Sequence, residues 1–189
     1  MYNIFPTQIG IYDIPYDKKL IYEVMKDYKL DPISVLNGSK SSYLTETGTK
    51  FLHDNRLKEL VYNIYLRLDD YTNNLSLVPC DISSSWFNNM DDGGNVALHR
   101  HQGSVISGAL YVDVSKNPSP LKFKNPLIPY KMMELYTDDP NYHHFIDVYP
   151  GLLILFPSWL EHETLPQKGI RSVVSFNTLH KGANIDNII

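Results

Sequence analysis

The sequence predicts a single α+β domain: two helices, then short strands curled into a barrel or two-sheet jelly roll. Three observations carry that expectation. Apolar residues recur at helical spacing in two stretches before residue 79. After residue 80 the chain breaks into short β-type runs punctuated by Gly, Pro, Asn and Asp. At 189 residues it can bury one substantial core, and no linker, repeat or low-complexity tract divides it. Residues 1–79 read as a helical support region and 80–180 as the β core of one domain spanning 1–189.

In chain order, Thr7–Ile14, closed by Pro15, reads as a short strand. Asp17 is placed to cap a helix running through Lys29, with Leu20, Ile21, Val24, Met25 and Tyr28 on one face. Pro32, Gly38 and the Ser/Thr-rich stretch from Ser39 to Thr49 read as a polar connection. Asp54 precedes a second helix in which Leu57, Leu60, Val61, Ile64, Tyr65, Leu68 and Tyr71 repeat at steps of three and four, ending at Asn73-Asn74. Such a stripe must lie on an apolar surface, here expected to be the outer face of the major sheet. Strands are expected over Ile82–Phe87, Ser104–Val114, Leu121–Phe123, Phe145–Val148, Leu152–Phe156 and Ser172–Asn177. Turns are expected at Asp91–Gly94, Asn117-Pro118, Asn125-Pro126 and Pro150-Gly151. Residues 127–142 lack periodicity and read as a long loop or lid; the tail after His180 has no placement.

Composition narrows the function classes. The net charge is -4 and no basic block occurs, so duplex nucleic acid is not an expected partner. Cys80 is the one cysteine, which excludes an intrachain disulfide and a cysteine-based zinc site. The start, Met1-Tyr2-Asn3-Ile4-Phe5-Pro6, lacks a signal-peptide profile, and no apolar run approaches the ~18–20 residues of a membrane span. The expectation is a soluble, cytoplasmic protein without a membrane partner; a homo-oligomer is compatible with it.

The chemistry concentrates in a few residues. His99 and His101 stand two apart, so on a strand both imidazoles project from one face and can reach one ion. His162 follows the apolar run Gly151–Phe156 and a turn at Pro157, where a barrel can bring it opposite the pair. Arg171 heads an inward-facing strand pattern and needs a partner, and a guanidinium suits a carboxylate bound through two parallel hydrogen bonds. The plainer readings are two strand histidines, a loop histidine, and an arginine in a structural salt bridge with one of the 21 acidic residues.

The ordered set His99-x-His101, Ser107-Gly108-x-x-Tyr111-Val112, Phe156-Pro157-Ser158-x-Leu160-x-His162 and Arg171 followed by Ser175-Phe176-Asn177 resembles the 2-oxoglutarate/Fe(II) oxygenases of the phage-associated, prolyl-hydroxylase-like type. The resemblance runs from about Trp86 to Asn177. It implies a double-stranded β-helix, the cupin-like jelly roll, with Fe(II) as metal and 2-oxoglutarate as co-substrate. His99 and His162 would be iron ligands, with His101 in the third position. Arg171 and Tyr111 would hold the distal carboxylate, Ser107 would line the pocket, and Asn88 would contact the co-substrate. Trp86 shares a strand with Asn88, but core packing is its favoured reading. No catalytic residue is implied beyond the metal centre. The expected reaction is hydroxylation of a protein side chain or small molecule, coupled to decarboxylation of 2-oxoglutarate to succinate and CO2.

Two departures stand out. The wider superfamily places Asp or Glu where this chain has His101, and many relatives have serine where it has Val173. Either Glu161 or Glu163 could be a carboxylate ligand if His101 is not one, and a shifted register would make His101-x-Gly103 the motif. Two rival functions are a three-histidine, cupin-like dioxygenase that needs no keto acid and a non-catalytic jelly-roll binding module. His143 and His144 read as solvated loop residues beside the lid; His53 and His180 have no partner that spacing identifies.

Overall fold

The structure is a computed structural model and describes residues 6–34, 36–128 and 142–182. Its elements are β1 (Gly10–Asp13), α1 (Lys18–Met25), β2 (Leu36–Ser41), α2 (Lys58–Asn74), β3 (Cys80–Val96), β4 (Ile106–Val114), β5 (Leu121–Lys124), β6 (His143–Ile146), β7 (Leu152–Pro157), β8 (His162–Thr164) and β9 (Arg171–His180). Two antiparallel sheets result. One has six strands in the order β1-β7-β4-β9-β3-β2, the other three in the order β6-β5-β8.

Period-two alternation sorts the six-stranded sheet into two faces. On one, Phe87, Leu110, Val112, Leu153, Leu155, Val174 and Phe176 join a buried cluster with Ile21 and Val24 of α1 and Leu60, Ile64 and Leu68 of α2. On the other, Met90, Tyr111, Leu152, Ile154, Phe156 and Val173 join Leu121, Phe123 and Ile146 of the three-stranded sheet. The helical stripe therefore meets sheet residues of one parity, and the opposite parity is left for a cavity between the sheets.

Gly108 marks the closest approach in the first cluster. A Cβ there would lie 2.1 Å from Cζ of Phe176 on the neighbouring strand. Both flanks of β4 are paired, so the strand cannot retreat. Gly108→Ala is expected to cost about 2–3 kcal/mol through overpacking, read as a lower urea midpoint at unchanged slope.

Several expectations change in detail. The first helix ends at Met25 rather than Lys29, because Asp27 and Tyr28 donate to carbonyls three residues back and tighten the chain into a turn. The stretch expected to be a polar connection contains β2, and the expected turn at Asp91–Gly94 is part of one 17-residue strand, β3. Glycines there serve a bulge between paired strands. The register shifts around Gly38, which has φ +64, and a Cβ on Gly94 would lie 2.7 Å from Ser39 Oγ. β6 lies two residues earlier than expected, and His162 stands on a strand, β8, that spacing alone does not reveal. Most of the expected loop or lid, residues 129–141, and the tail from 183 lie outside the described residues.

Candidate metal centre

The three histidines meet because main-chain hydrogen bonds bring their segments together. The His99 N–H donates to the His162 carbonyl at 3.0 Å and the His162 N–H donates back at 2.9 Å, so the two residues form an isolated antiparallel bridge. His101 N–H donates to the Ser158 carbonyl at 2.9 Å, fixing the second half of His-x-His against the turn before β8. One ligand atom from each of His99, His101 and His162 lies within 4.8 Å of the others.

The donor set fits a divalent metal. Nδ1 of His99 lies 2.8 Å from the Ala97 carbonyl and Nδ1 of His162 lies 3.0 Å from the Leu160 carbonyl. A carbonyl only accepts, so Nδ1 carries the proton in both rings and Nε2 keeps its lone pair for an ion. Phe123 and Phe156 lie against the His162 ring, with centroids 6.0 and 4.7 Å away.

Burial keeps all three imidazoles neutral. Desolvation, then the nearby His99 charge, holds His162 well below the usual histidine range; the same two causes bring His101 down to about 4. His99 is also lowered, chiefly by burial. Unfolding returns each ring to an ordinary value near 6.5. Between that value and about 4 the unfolded chain takes up protons that the folded chain refuses, so the metal-free fold loses stability as pH falls. The Tm of metal-free protein is expected to drop from pH 7 to pH 5, and His101→Gln to flatten the drop; equal slopes would refute this account.

Among the described residues no carboxylate joins the cluster. Glu161 pairs with Lys124 at 2.9 Å and Glu163 with Lys122 at 2.7 Å, both across to β5. That corrects the alternative in which either glutamate is a ligand. The shifted register beginning at His101 is also not what forms, since His99 is drawn in by its bridge to His162.

Arg171 is fully buried at the head of β9. Its Nη2 donates to the carbonyl and hydroxyl oxygens of Ser119, while Nε and Nη1 have no partner. Among the described residues no carboxylate pairs with it, so the salt-bridge reading fails. Two unpaired donor nitrogens on a buried cation are costly, and an anion in the cavity would remove that cost. The Tyr111 ring centroid is 5.7 Å from the guanidinium carbon. Burial pushes the Tyr111 hydroxyl up to about 12 against the opposing pull of Arg171, so it remains a donor at neutral pH.

These groups line one cavity of about 310 Å³ between the sheets. Asn88 donates from Nδ2 to Ser175 Oγ at 3.1 Å and leaves a buried Oδ1 unpaired. A half-turn of the amide offers Nδ2 to an anion instead, with the Ser175 hydroxyl switching from acceptor to donor. Ser107 lines the cavity, but its hydroxyl is committed to Asn177 Oδ1 and Ser158 Oγ, both at 2.8 Å. Val173 also faces the cavity and adds no polar contact.

Trp86 is both buried and part of the cavity wall, its ring 5.8 Å from His101 and 4.9 Å from Tyr43. Ser175 and Asn177, which belong to the motif set but carry no role there, and Tyr43, which no motif contains, are further wall residues. The alternation Arg171, Val173, Ser175, Asn177 on β9 could have given the first two; nothing local marks Tyr43. His143 and His144 lie on β6, and His180 sits beside Cys80 at 3.8 Å, outside the cluster.

Residues 84–177, just under half of the chain, match the sequence model of a family described as "Putative 2OG-Fe(II) oxygenase". No curated protein matches the sequence. Among solved structures, a Pseudomonas putida prolyl-4-hydroxylase is similar at TM-score 0.61 and 13% identity over 91% of this chain and 92% of that one. A prolyl hydroxylase from Trichoplax adhaerens, in complex with a hypoxia inducible factor oxygen degradation domain peptide fragment, gives 0.65 and 12% over 92% and 84%. The viral collagen prolyl hydroxylase of Paramecium Bursaria Chlorella virus-1, a 2OG complex, gives 0.56 and 11% over 90% and 94%. At these identities the likeness establishes the fold, that of prolyl-hydroxylase-like 2-oxoglutarate oxygenases. Fe(II) and 2-oxoglutarate are the metal and co-substrate that the family match assigns.

Proposed function

We propose that this chain is a 2-oxoglutarate- and Fe(II)-dependent dioxygenase that hydroxylates a protein side chain or small molecule, releasing succinate and CO2. One observation carries the reading: a buried arginine with two unpaired donor nitrogens shares a cavity with three neutral imidazoles. His99, His101 and His162 would hold the iron, which supplies the oxygen chemistry when bound. Arg171 would grip the distal carboxylate of 2-oxoglutarate through Nε and Nη1, and Tyr111 would donate a hydroxyl to the same group. The apolar wall of Leu121, Phe156 and Val173 would exclude water from the chain between the two ends.

With Fe(II) and 2-oxoglutarate added under nitrogen, a weak visible charge-transfer band is expected. Iron bound without that band would remove the co-substrate from the reading.

A set of three histidines with no carboxylate ligand among the described residues favours a second reading, a three-histidine dioxygenase that uses no keto acid. Arg171→Ala separates the two, because metal-dependent turnover would survive it only in the second. The phage association implied by the family resemblance and a cytoplasmic location belong to this proposal. Among the described residues no helix is long and apolar enough to cross a membrane.

A further inference from the structure

The surroundings of the three histidines offer a metal ion donors but no negative charge. An imidazole binds an ion through a neutral nitrogen, so His99, His101 and His162 leave the charge of a divalent metal intact. The groups that orient the rings add none. Nδ1 of His99 and Nδ1 of His162 each donate to a main-chain carbonyl, at 2.8 and 3.0 Å, where a carboxylate often stands behind a ligating histidine. The remaining ring contacts are aromatic, with Trp86 5.8 Å from His101 and Phe156 4.7 Å from His162.

The wider cavity does not make up the difference. Among the described lining residues Glu163 is the one acid, and Lys122 neutralises it at 2.7 Å. Both side chains of that pair are largely buried, so turning Glu163 to the ion would strand the Lys122 ammonium. The other charged lining residues, Arg100 and Arg171, are cations. A divalent ion on the three histidines therefore keeps its whole double charge in a partly apolar site, where water screens it poorly. In a two-histidine, one-carboxylate set the protein itself cancels one of those charges. His101 does not.

We propose that this chain holds a divalent ion tightly only together with an exogenous coordinating anion, which supplies the charge that His101 withholds. Metal and anion bind as a pair, each raising the affinity for the other by the same factor. His101 is the residue that sets this coupling. The ligand class is an anion able to coordinate the ion directly, either the carboxylate of a keto acid or a small inorganic monoanion. The proposal rests on the dioxygenase reading only for which of these it is. Metal loading would then follow the supply of the anion and not that of the metal alone.

The test is calorimetric titration of metal-free protein with Co(II) perchlorate in a buffer free of chloride and other coordinating anions. Each titration is run alone, with 2-oxoglutarate and with azide. Wild-type protein is expected to bind Co(II) about tenfold or more tightly when at least one of the two anions is present. His101→Glu, which returns a carboxylate to the ligand set, is expected to bind Co(II) about tenfold tighter than wild type without added anion and to lose most of the coupling. His101→Asp stands in if the longer side chain does not fold.

Equal Co(II) affinity in wild type with and without either anion overturns the proposal. So does a coupling of the same size in the carboxylate variant that folds, which would make it a property of chelation alone. A carboxylate variant that binds Co(II) no tighter than wild type in the absence of anion overturns it as well. If azide tightens Co(II) binding and 2-oxoglutarate does not, the proposal stands and the dioxygenase reading fails. If 2-oxoglutarate does so and azide does not, both stand.

Discussion

Arg171→Ala is expected to weaken 2-oxoglutarate binding by roughly 100-fold or more, the 2–5 kcal/mol typical of removing one partner from a buried charge pair. Metal affinity should not change, because the guanidinium touches none of the three histidines. Arg171→Lys should recover little, since an ammonium cannot present two parallel N–H groups to a carboxylate. The same geometry makes a second, opposite expectation. Without a bound anion the arginine is a buried cation with two unpaired donors, so Arg171→Met should melt no lower than wild type when both are ligand-free. Calorimetric titration with 2-oxoglutarate and a melt of the free proteins check the two halves separately. A variant that binds co-substrate normally would end the assignment of the cavity's far end.

His162→Ala should weaken metal binding at least 100-fold, because loss of a ligand exceeds the 10- to 100-fold typical of groups that only orient one. His162 is also a packing residue against Phe123 and Phe156, and its truncation should lower fold stability by about 2–3 kcal/mol. His99→Ala separates the two effects. Its ring is less buried, so metal affinity should fall comparably with a smaller change in Tm. If His99→Ala and His162→Ala both left metal affinity unchanged, the cluster would be structural and the binding-module reading would gain.

Much of this site was legible because its carriers lie where local rules are strong. Arg171 is conspicuous as a cation opening an apolar strand, whereas His99 and His101, expected on a strand, lie between β3 and β4 and are placed by main-chain bonds to His162 and Ser158. The α2 stripe announced a sheet beneath it, and Leu60, Ile64 and Leu68 do join sheet residues in one buried cluster. What was not legible depended on pairing at a distance. The polar Asn37–Ser41 segment becomes a strand only because β3 extends past Asp92 to receive it, with glycines accepting the close approach. His162 looked like a loop residue because a three-residue strand has too few positions to show a period; its bridge to His99 makes it one. Glu161 and Glu163 could be set aside as ligands only once Lys122 and Lys124 were seen opposite them.

The two faces of β9 have a consequence for how this chain can vary. Arg171, Val173, Ser175 and Asn177 face the cavity, while Val174 and Phe176 lie in the helix-side cluster. Substitutions on the first set can retune selectivity while sparing the scaffold, and those on the second can drift in volume while sparing the chemistry. Loss or gain of a single residue within the strand does neither. It exchanges the two sets, burying the guanidinium among aliphatic helix side chains and turning Phe176 toward the metal. β9 should therefore accept many replacements and no change of length, a contrast that a deletion scan set beside a substitution scan of the same ten residues would display directly.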